Sequence, residues 1–309
     1  MLEHVIAALR RQRLGTTNYD DTVLLAPIAL RPLSGGRNNA VYAATVDQQQ
    51  VVLKCYKVDA RQRAHKERAA LLLAEAQGCD TAPRLLTWSD DPQVPIAALQ
   101  LLPGRDLGGV NLTPCQLEAL AEALSSLYPL ADLACVERAD SAARTQLETM
   151  QHTITALPVA TGTPYMLDYV ERLARDSDDD IWALWREWQR GPDLALLRAP
   201  VPPVFSRGDP NLANCLWDGA RVRIVDFEYA GVSDRAFDLA DLVEHQQSRA
   251  TPDAAWAQFV DLFPLSGWEL ERLHAARRLL RLFWLLKFRA FGAMDTRYLA
   301  QRERMRLLA

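Results

Sequence analysis

The chain lacks long apolar runs: nothing in its 309 residues approaches the roughly 18 apolar residues that a membrane-spanning helix needs. Residues 1–12 read as a short amphipathic helix without the pattern of a secretory leader, so a cytoplasmic chain with no membrane role is expected. Cysteine is sparse and scattered. The five, Cys55, Cys79, Cys115, Cys135 and Cys215, form no C-x-x-C pair, so neither a disulfide framework nor a thiolate metal site is expected. The five histidines, His4, His65, His152, His245 and His274, form no cluster either, which removes the usual ligand set of a zinc enzyme. A basic excess is also missing: 35 Lys and Arg against 39 Asp and Glu give a net charge of -4, which argues against a general nucleic-acid-binding role. What is present is a hydrophobic content of 49%, ample for the core of one large domain or two ordinary ones.

The stretch the chain is organised around is F-S-R-G-D-P-N-L-A-N-C-L-W-D-G-A-R-V-R-I-V-D-F-E, residues 205–228. Asp209 and Asn214 lie five apart across a turn carrying Pro210 and Asn211, and Cys215-Leu216-Trp217 follows as a short strand. Asp218-Gly219 is a hairpin turn, and the returning strand 221–225 delivers Asp226 back beside Asn214. Three oxygen-bearing side chains then meet in one cleft. That set suits a Mg²⁺ site for a polyphosphate, with one further carboxylate left to receive a proton.

R-G-D-P-N-L-A-N followed by I-V-D-F-E-Y resembles the catalytic loop and metal-binding segment of the aminoglycoside phosphotransferase and choline kinase group, small-molecule kinases with a protein-kinase-like fold. The resemblance implies Asp209 as catalytic base, Asn214 and Asp226 as Mg²⁺ ligands, and Phe227-Glu228 where protein kinases carry Phe-Gly. The family usually places His two residues before its catalytic Asp; here that position is Arg207. Asp238 matches a structural Asp that hydrogen-bonds the catalytic loop. Only eleven residues separate Asp226 from Asp238, too few for the activation segment of a protein kinase. A small hydroxylated molecule is therefore the expected acceptor, and a protein substrate is not.

Upstream, strand-like residues 28–33 lead through Ser34-Gly35-Gly36 into a second strand at 40–46. Glycine lets backbone N–H groups approach an anion closely, so this turn either covers nucleotide phosphates or is only a turn. A third strand at 51–56 carries Lys54 inside an apolar run, where a charge is costly without a partner. In a kinase-like fold that partner is a glutamate of the following helix, here Glu67, with Glu75 as the alternative. The other reading has Lys54 snorkelling to solvent and Glu67 on a charged helix face. Strands at 83–88 and 96–102 complete a five-stranded antiparallel sheet, and by the resemblance Gln100 to Leu102 form the hinge whose backbone holds the base of ATP or GTP.

From Thr113 onward the chain is helical. Thr113 is an N-cap with Pro114 at the first helical position, and further helices are expected over 142–157, 164–175, 181–189, 252–263, 267–291 and on to 309. Asp176 to Asp180 precede a helix and read either as caps or as an acidic patch. Trp182, Trp185 and Trp188 read as a packed face or a lid. F-E-Y, then R-A-F-D-L-A, then Glu244 is closest to the choline, ethanolamine and thiamine kinase branch, which puts Glu244 on the acceptor side. Trp284, with Phe283 and Phe288, either supplies a ring face to a quaternary ammonium or is core. The expectation is an α+β bilobal fold, residues 1–102 and 103–309, that moves a phosphoryl group from Mg-ATP to an aminoglycoside-like antibiotic, choline or ethanolamine, thiamine or a sugar. The alternative is a non-catalytic nucleotide-binding module.

Overall fold

The computed structural model describes residues 1–13, 23–25, 28–33, 39–131, 162–177, 179–290 and 296–306. The turn at Ser34, Gly35 and Gly36, the helix expected over 142–157, Cys135, His152 and Asp178 lie outside the described residues.

The five expected strands are present and a sixth joins them. β1 (Val23–Leu25), β2 (Ile28–Pro32), β3 (Ala40–Val46), β4 (Gln49–Cys55), β5 (Leu85–Ser89) and β6 (Ile96–Gln100) form one sheet in the order β1-β2-β3-β4-β6-β5, antiparallel at every pairing. β3 and β4 turn over at Asp47 and Gln48, both with positive φ (49° and 63°), the backbone a two-residue hairpin needs to match the twist of its strands. Their register sets Val41 opposite Lys54, and β6 sets Ala97 against the same lysine from the other side. β4 is thus a central strand, and Lys54 is held deep within the sheet.

Two apolar layers sandwich this sheet. The Leu2–Arg13 helix places Val5, Ile6 and Leu9 against Leu30, Tyr42, Leu53 and Ile96. The opposite face meets the Arg63–Ala76 helix, whose Ala70, Leu71, Leu73 and Ala74 join Tyr56, Ala97 and Leu99 in a core that continues into the C-terminal part. Removing this apolar area from water is the main stabilising contribution.

Beyond Leu102 the chain is mainly helical. The Pro114–Leu127 helix starts as its sequence dictates: Thr113 and Gln116 form a reciprocal capping box and Pro114 takes the first turn. The Gly267–Ala290 helix runs through the centre of this part, buried on nearly all sides among the helices Thr163–Arg175, Asp193–Arg198, Arg235–Glu244 and Thr296–Arg306. Trp185 is buried and stacks on Trp188, whose Nε1 donates to Asp193, so two of the three spaced tryptophans serve packing. The expected hairpin of β9 (Cys215–Trp217) and β10 (Val222–Ile224) is present, and three further short strands join this region: β7 (Arg105–Asp106) adds to the hairpin, while β8 (Val204–Ser206) pairs with β11 (Gly231–Ser233). The β8–β11 pair flanks residues 207–230, and the β9–β10 hairpin lies within them. Among the described residues no helix is long and apolar enough to cross a membrane.

Candidate active site

The β8–β11 pairing sets Ser206 opposite Gly231 and so brings the segment after β8 alongside the segment before β11. At their closest approach sits Gly208, with φ of +72°; a Cβ there would lie 2.0 Å from the backbone oxygen of Tyr229. Only glycine allows the Arg207–Gly208–Asp209 turn to press this closely on the Asp226–Tyr229 segment. Asp226 itself has φ of 68°, a left-handed conformation unusual for a residue with a side chain and of the kind that clusters at functional sites.

The loop is fixed by short-range hydrogen bonds. Asp209 Oδ1 accepts from the Asn211 N–H at 3.0 Å, and Asp209 Oδ2 accepts from Asn214 Nδ2 at 3.0 Å. Asn211 in turn accepts from the Ala213 N–H, and the Val225 N–H donates to the Asn214 carbonyl at 2.9 Å. The last of these bonds holds Asp226 beside Asn214. Asn214 spends its amide nitrogen on Asp209, so its Oδ1 is without a protein donor among the described residues. Arg207 is buried; its Nη1 donates to the Asn211 carbonyl and to Cys215 Sγ, bracing the loop from below at the position where the sequence resemblance implies histidine. Asp238 accepts from Ser206 Oγ and Tyr128 OH, and Ser206 Oγ accepts from the Gly208 N–H, so Asp238 acts on the loop through Ser206.

Lys54 connects this loop to the sheet. Its Nζ lies 2.5 Å from Glu67 Oε2 and 2.5 Å from Asp226 Oδ1, while Glu67 Oε1 accepts from the Phe227 N–H at 3.2 Å. Glu67 is fully buried and Glu75 is exposed on the same helix, so the partner of Lys54 is Glu67. Burial pulls the Lys54 ammonium down, but Asp226, Glu67 and Glu228 outweigh it and hold the group above the ordinary lysine range. Glu67 is pushed up by burial, against the pull of Lys54. A second tie was missed by sequence reasoning: buried Glu228 pairs with Arg63 at 3.3 Å and accepts from Asn39 Nδ2. Arg63 stands one helical turn before Glu67, and that spacing was the available signal.

The cluster carries more negative than positive charge. Asp209, Asp226, Glu67 and Glu228 face Lys54, Arg63 and Arg207. The Asp209 carboxyl is raised by burial, which Arg207 opposes and Asp226 and Glu228 reinforce. A divalent cation relieves such an excess. Among the described residues no three His, Cys, Asp or Glu side chains gather as a self-sufficient metal cage. An Asn oxygen beside a carboxylate fits Mg²⁺ nonetheless, because that ion keeps coordination places for phosphate and water.

Other expected residues lie apart. Gln100 ends β6, where its N–H donates to the Arg84 carbonyl at 2.9 Å, and Leu102 follows it, buried. Glu244 is fully buried among arginines, with Arg277 at 2.7 Å, Arg281 at 3.0 Å and Arg304 at 3.2 Å. Trp284 is buried with His245 against its edge at 5.2 Å and Lys287 Nζ over its ring at 4.8 Å.

Residues 29–274 match the phosphotransferase enzyme family (APH). No curated protein matches the chain in sequence. Solved structures with a similar fold include a choline/ethanolamine kinase family protein from Mesorhizobium loti (18% identity, 98% of this chain and 94% of that one, TM-score 0.61). A choline kinase from Cryptosporidium parvum Iowa II is also similar (14% identity, 100% and 96%, TM-score 0.59). So is a thermostable mutant of aminoglycoside phosphotransferase APH(4)-Ia in ternary complex with AMP-PNP and hygromycin B (13% identity, 97% and 96%, TM-score 0.56).

Gly208→Ala forces the Arg207–Asp209 turn off Tyr229 and is expected to lose most activity and lower the thermal midpoint, whereas Gly267→Ala, with nothing near its Cβ position and no left-handed backbone, is expected to cost far less. His245 provides a pH test. Burial, together with Arg207, Lys287 and Arg249, lowers its pKa from 6.5 to about 3. The unfolded chain therefore binds a proton that the folded chain refuses between those values, so stability is complete above pH 6.5 and falls as pH drops toward 3. Between pH 8 and pH 5 this contributes a loss of about 2 kcal/mol. Denaturant melts of His245→Gln are expected to show a correspondingly flatter dependence on pH over that range.

Proposed function

Because the chain belongs to the phosphotransferase enzyme family, we propose that it transfers the γ-phosphoryl group of ATP to a hydroxyl of a small molecule. The observation that carries this reading is the convergence of Lys54, Glu67, Asp226, Asn214 and Asp209 from three separate elements into one polar cluster. The presence of AMP-PNP beside hygromycin B in one similar structure supports a nucleoside triphosphate as the donor.

In this mechanism Asp209 accepts the proton of the acceptor hydroxyl as its oxygen bonds to the γ-phosphorus. The bond from that phosphorus to the β-phosphate oxygen breaks, and ADP leaves. The carboxylate is aimed by Asn211 and Asn214 and braced through Arg207, so its placement precedes substrate arrival. Its raised pKa makes it a somewhat stronger base than a solvent-exposed aspartate. Asn214 and Asp226 would hold Mg²⁺, which supplies neutralisation of the β- and γ-phosphate oxygens. Lys54, kept charged and oriented by Glu67, neutralises the α/β side. Transfer through a loose transition state asks the protein mainly for position and charge, and that is what these residues provide. GTP is an alternative donor, since hinge contacts through Gln100 and Leu102 would be made by backbone. The short link from Asp226 to Asp238 leaves no platform for a peptide, which favours a small acceptor.

Asp209→Asn is expected to keep Mg-ATP affinity within a few-fold and to lower kcat by a factor on the order of 10² or more. Asp226→Ala is expected to lose Mg-dependent nucleotide binding. Calorimetric titration together with acceptor-dependent ADP release measures both, and unchanged nucleotide affinity in Asp226→Ala contradicts the assignment.

A further inference from the structure

The helices Arg235–Glu244 and Gly267–Ala290 pack together, and each carries an ionisable side chain for which the described residues provide no ion-pair partner. Asp241 is 6% exposed, and no donor among the described residues reaches its carboxylate. Lys287 is half-buried and makes no salt bridge among the described residues. An unpaired charge at such a depth is costly unless something else answers it. Asp241 stands one turn beyond Asp238, whose carboxylate holds Ser206 and through it the Gly208–Asp209 turn, and Lys287 lies over Trp284, which meets His245 at the end of the same helix. Burial lowers Lys287 while Asp241 and Asp209 push it back up. Burial raises Asp241, Asp238 and Asp209 reinforce the rise, and Lys287 and Arg207 oppose it.

The aromatic surface beside them is already taken. Spacings of three and four residues on one helix bring the Lys287 ammonium 4.8 Å from the Trp284 ring centroid and 5.0 Å from that of Phe283. His245 and Phe288 close further sides of Trp284, at 5.2 and 5.6 Å. His245 is neutral near pH 7, its pKa lowered to about 3, so it adds no charge to Lys287. A quaternary ammonium arriving here meets a resident cation where it needs an open ring face.

We propose that Lys287 is an acceptor-recognition residue and that the acceptor is a small alcohol bearing an oxyanion, a carboxylate or phosphate ester that docks on Lys287 while a hydroxyl or amine of the same molecule donates to Asp241. This rests on the phosphotransferase reading above and narrows its acceptor. An oxyanion supplies the ion pair that Lys287 lacks among the described residues, and a donor completes the buried carboxyl of Asp241 on the neighbouring helix. The molecule is then held at both poles, with its reacting hydroxyl beside Asp209.

Initial rates of Mg-ATP-dependent phosphorylation with matched alcohols test the proposal: glycerate, glycerol 3-phosphate, glycerol and choline in one set, and gluconate, glucose 6-phosphate, glucose and kanamycin in the other. At least one oxyanion-bearing alcohol is expected to exceed its neutral and cationic counterparts about tenfold or more in kcat/KM. Comparison of the carboxylates with the phosphate esters separates the two sources. Lys287→Met is expected to raise KM for the preferred acceptor about tenfold with a smaller change in kcat, and Lys287→Arg to recover part of it. Mg-nucleotide affinity is read alongside to check the fold. Preference for choline or kanamycin over every oxyanion overturns the proposal, as does failure of all four oxyanion alcohols to bind or react. The phosphotransferase reading fails separately, through absence of Mg-dependent nucleotide binding in the unaltered protein.

Discussion

The buried ammonium of Lys54 ties the molecule together. It comes from the central strand of the sheet, and its carboxylate partners come from two different places: Glu67 from the next helix and Asp226 from a loop 172 residues away. Burying Lys54 and Glu67 as ions costs several kcal/mol per charge before their attraction to each other and to the half-buried Asp226 is counted, so such a group persists only when its geometry is good and its other valences are filled. Here they are. Glu67 also accepts from the Phe227 N–H, and Glu228 repeats the pattern one residue on by pairing with Arg63. Successive residues of one loop are thereby fastened to successive turns of one helix.

That constraint explains the rest of the site. With Asp226 fixed, the strand β10 that leads to it fixes Asn214 through the Val225 N–H, and Asn214 fixes Asp209 through its amide. Gly208 lets the same loop press on Tyr229, and Arg207 and Asp238 brace it from the core. Each polar side chain in the sequence from the sheet to the Asp209 carboxylate is positioned by the one before it. A site built in this way is pre-organised, which is the main demand that phosphoryl transfer makes on a protein. Asp241 and Lys287, the proposed acceptor contacts, sit on packed helices and form no salt bridge with each other, and on that proposal their complement comes from the incoming molecule.

Much of this was legible in the sequence because the signals were local. The strands of the main sheet stand out as short apolar runs, Thr113-Pro114 announces a helix start, and the R-G-D-P-N-L-A-N segment places Asp209 and Asn214 on one turn. Lys54 in an apolar strand called for a buried partner or a route to solvent, and the family resemblance offered Glu67 or Glu75 as that partner. What was not legible depended on contacts between distant segments. β8 and β11 are three residues each, too short to announce themselves, yet their pairing sets the approach of Gly208 to Tyr229. Glu228 pairs with Arg63 across 165 residues; the helical spacing of Arg63 from Glu67 placed both on one face but did not identify Glu228 as the partner. Glu244 carried a pattern that pointed to the acceptor side, whereas the structure surrounds it with three arginines from two helices. Trp284 left packing and ligand contact both open; Lys287, one turn further on, occupies its ring face.

The most direct measurement is calorimetric titration of ATP into the unaltered protein with Mg²⁺ present and again with the metal chelated. A cluster with excess carboxylate repels a bare polyphosphate and welcomes one that brings its own divalent cation. The account predicts saturable binding with Mg²⁺ and affinity weaker by about tenfold or more without it. Equal affinity in both conditions, or no binding in either, would contradict it.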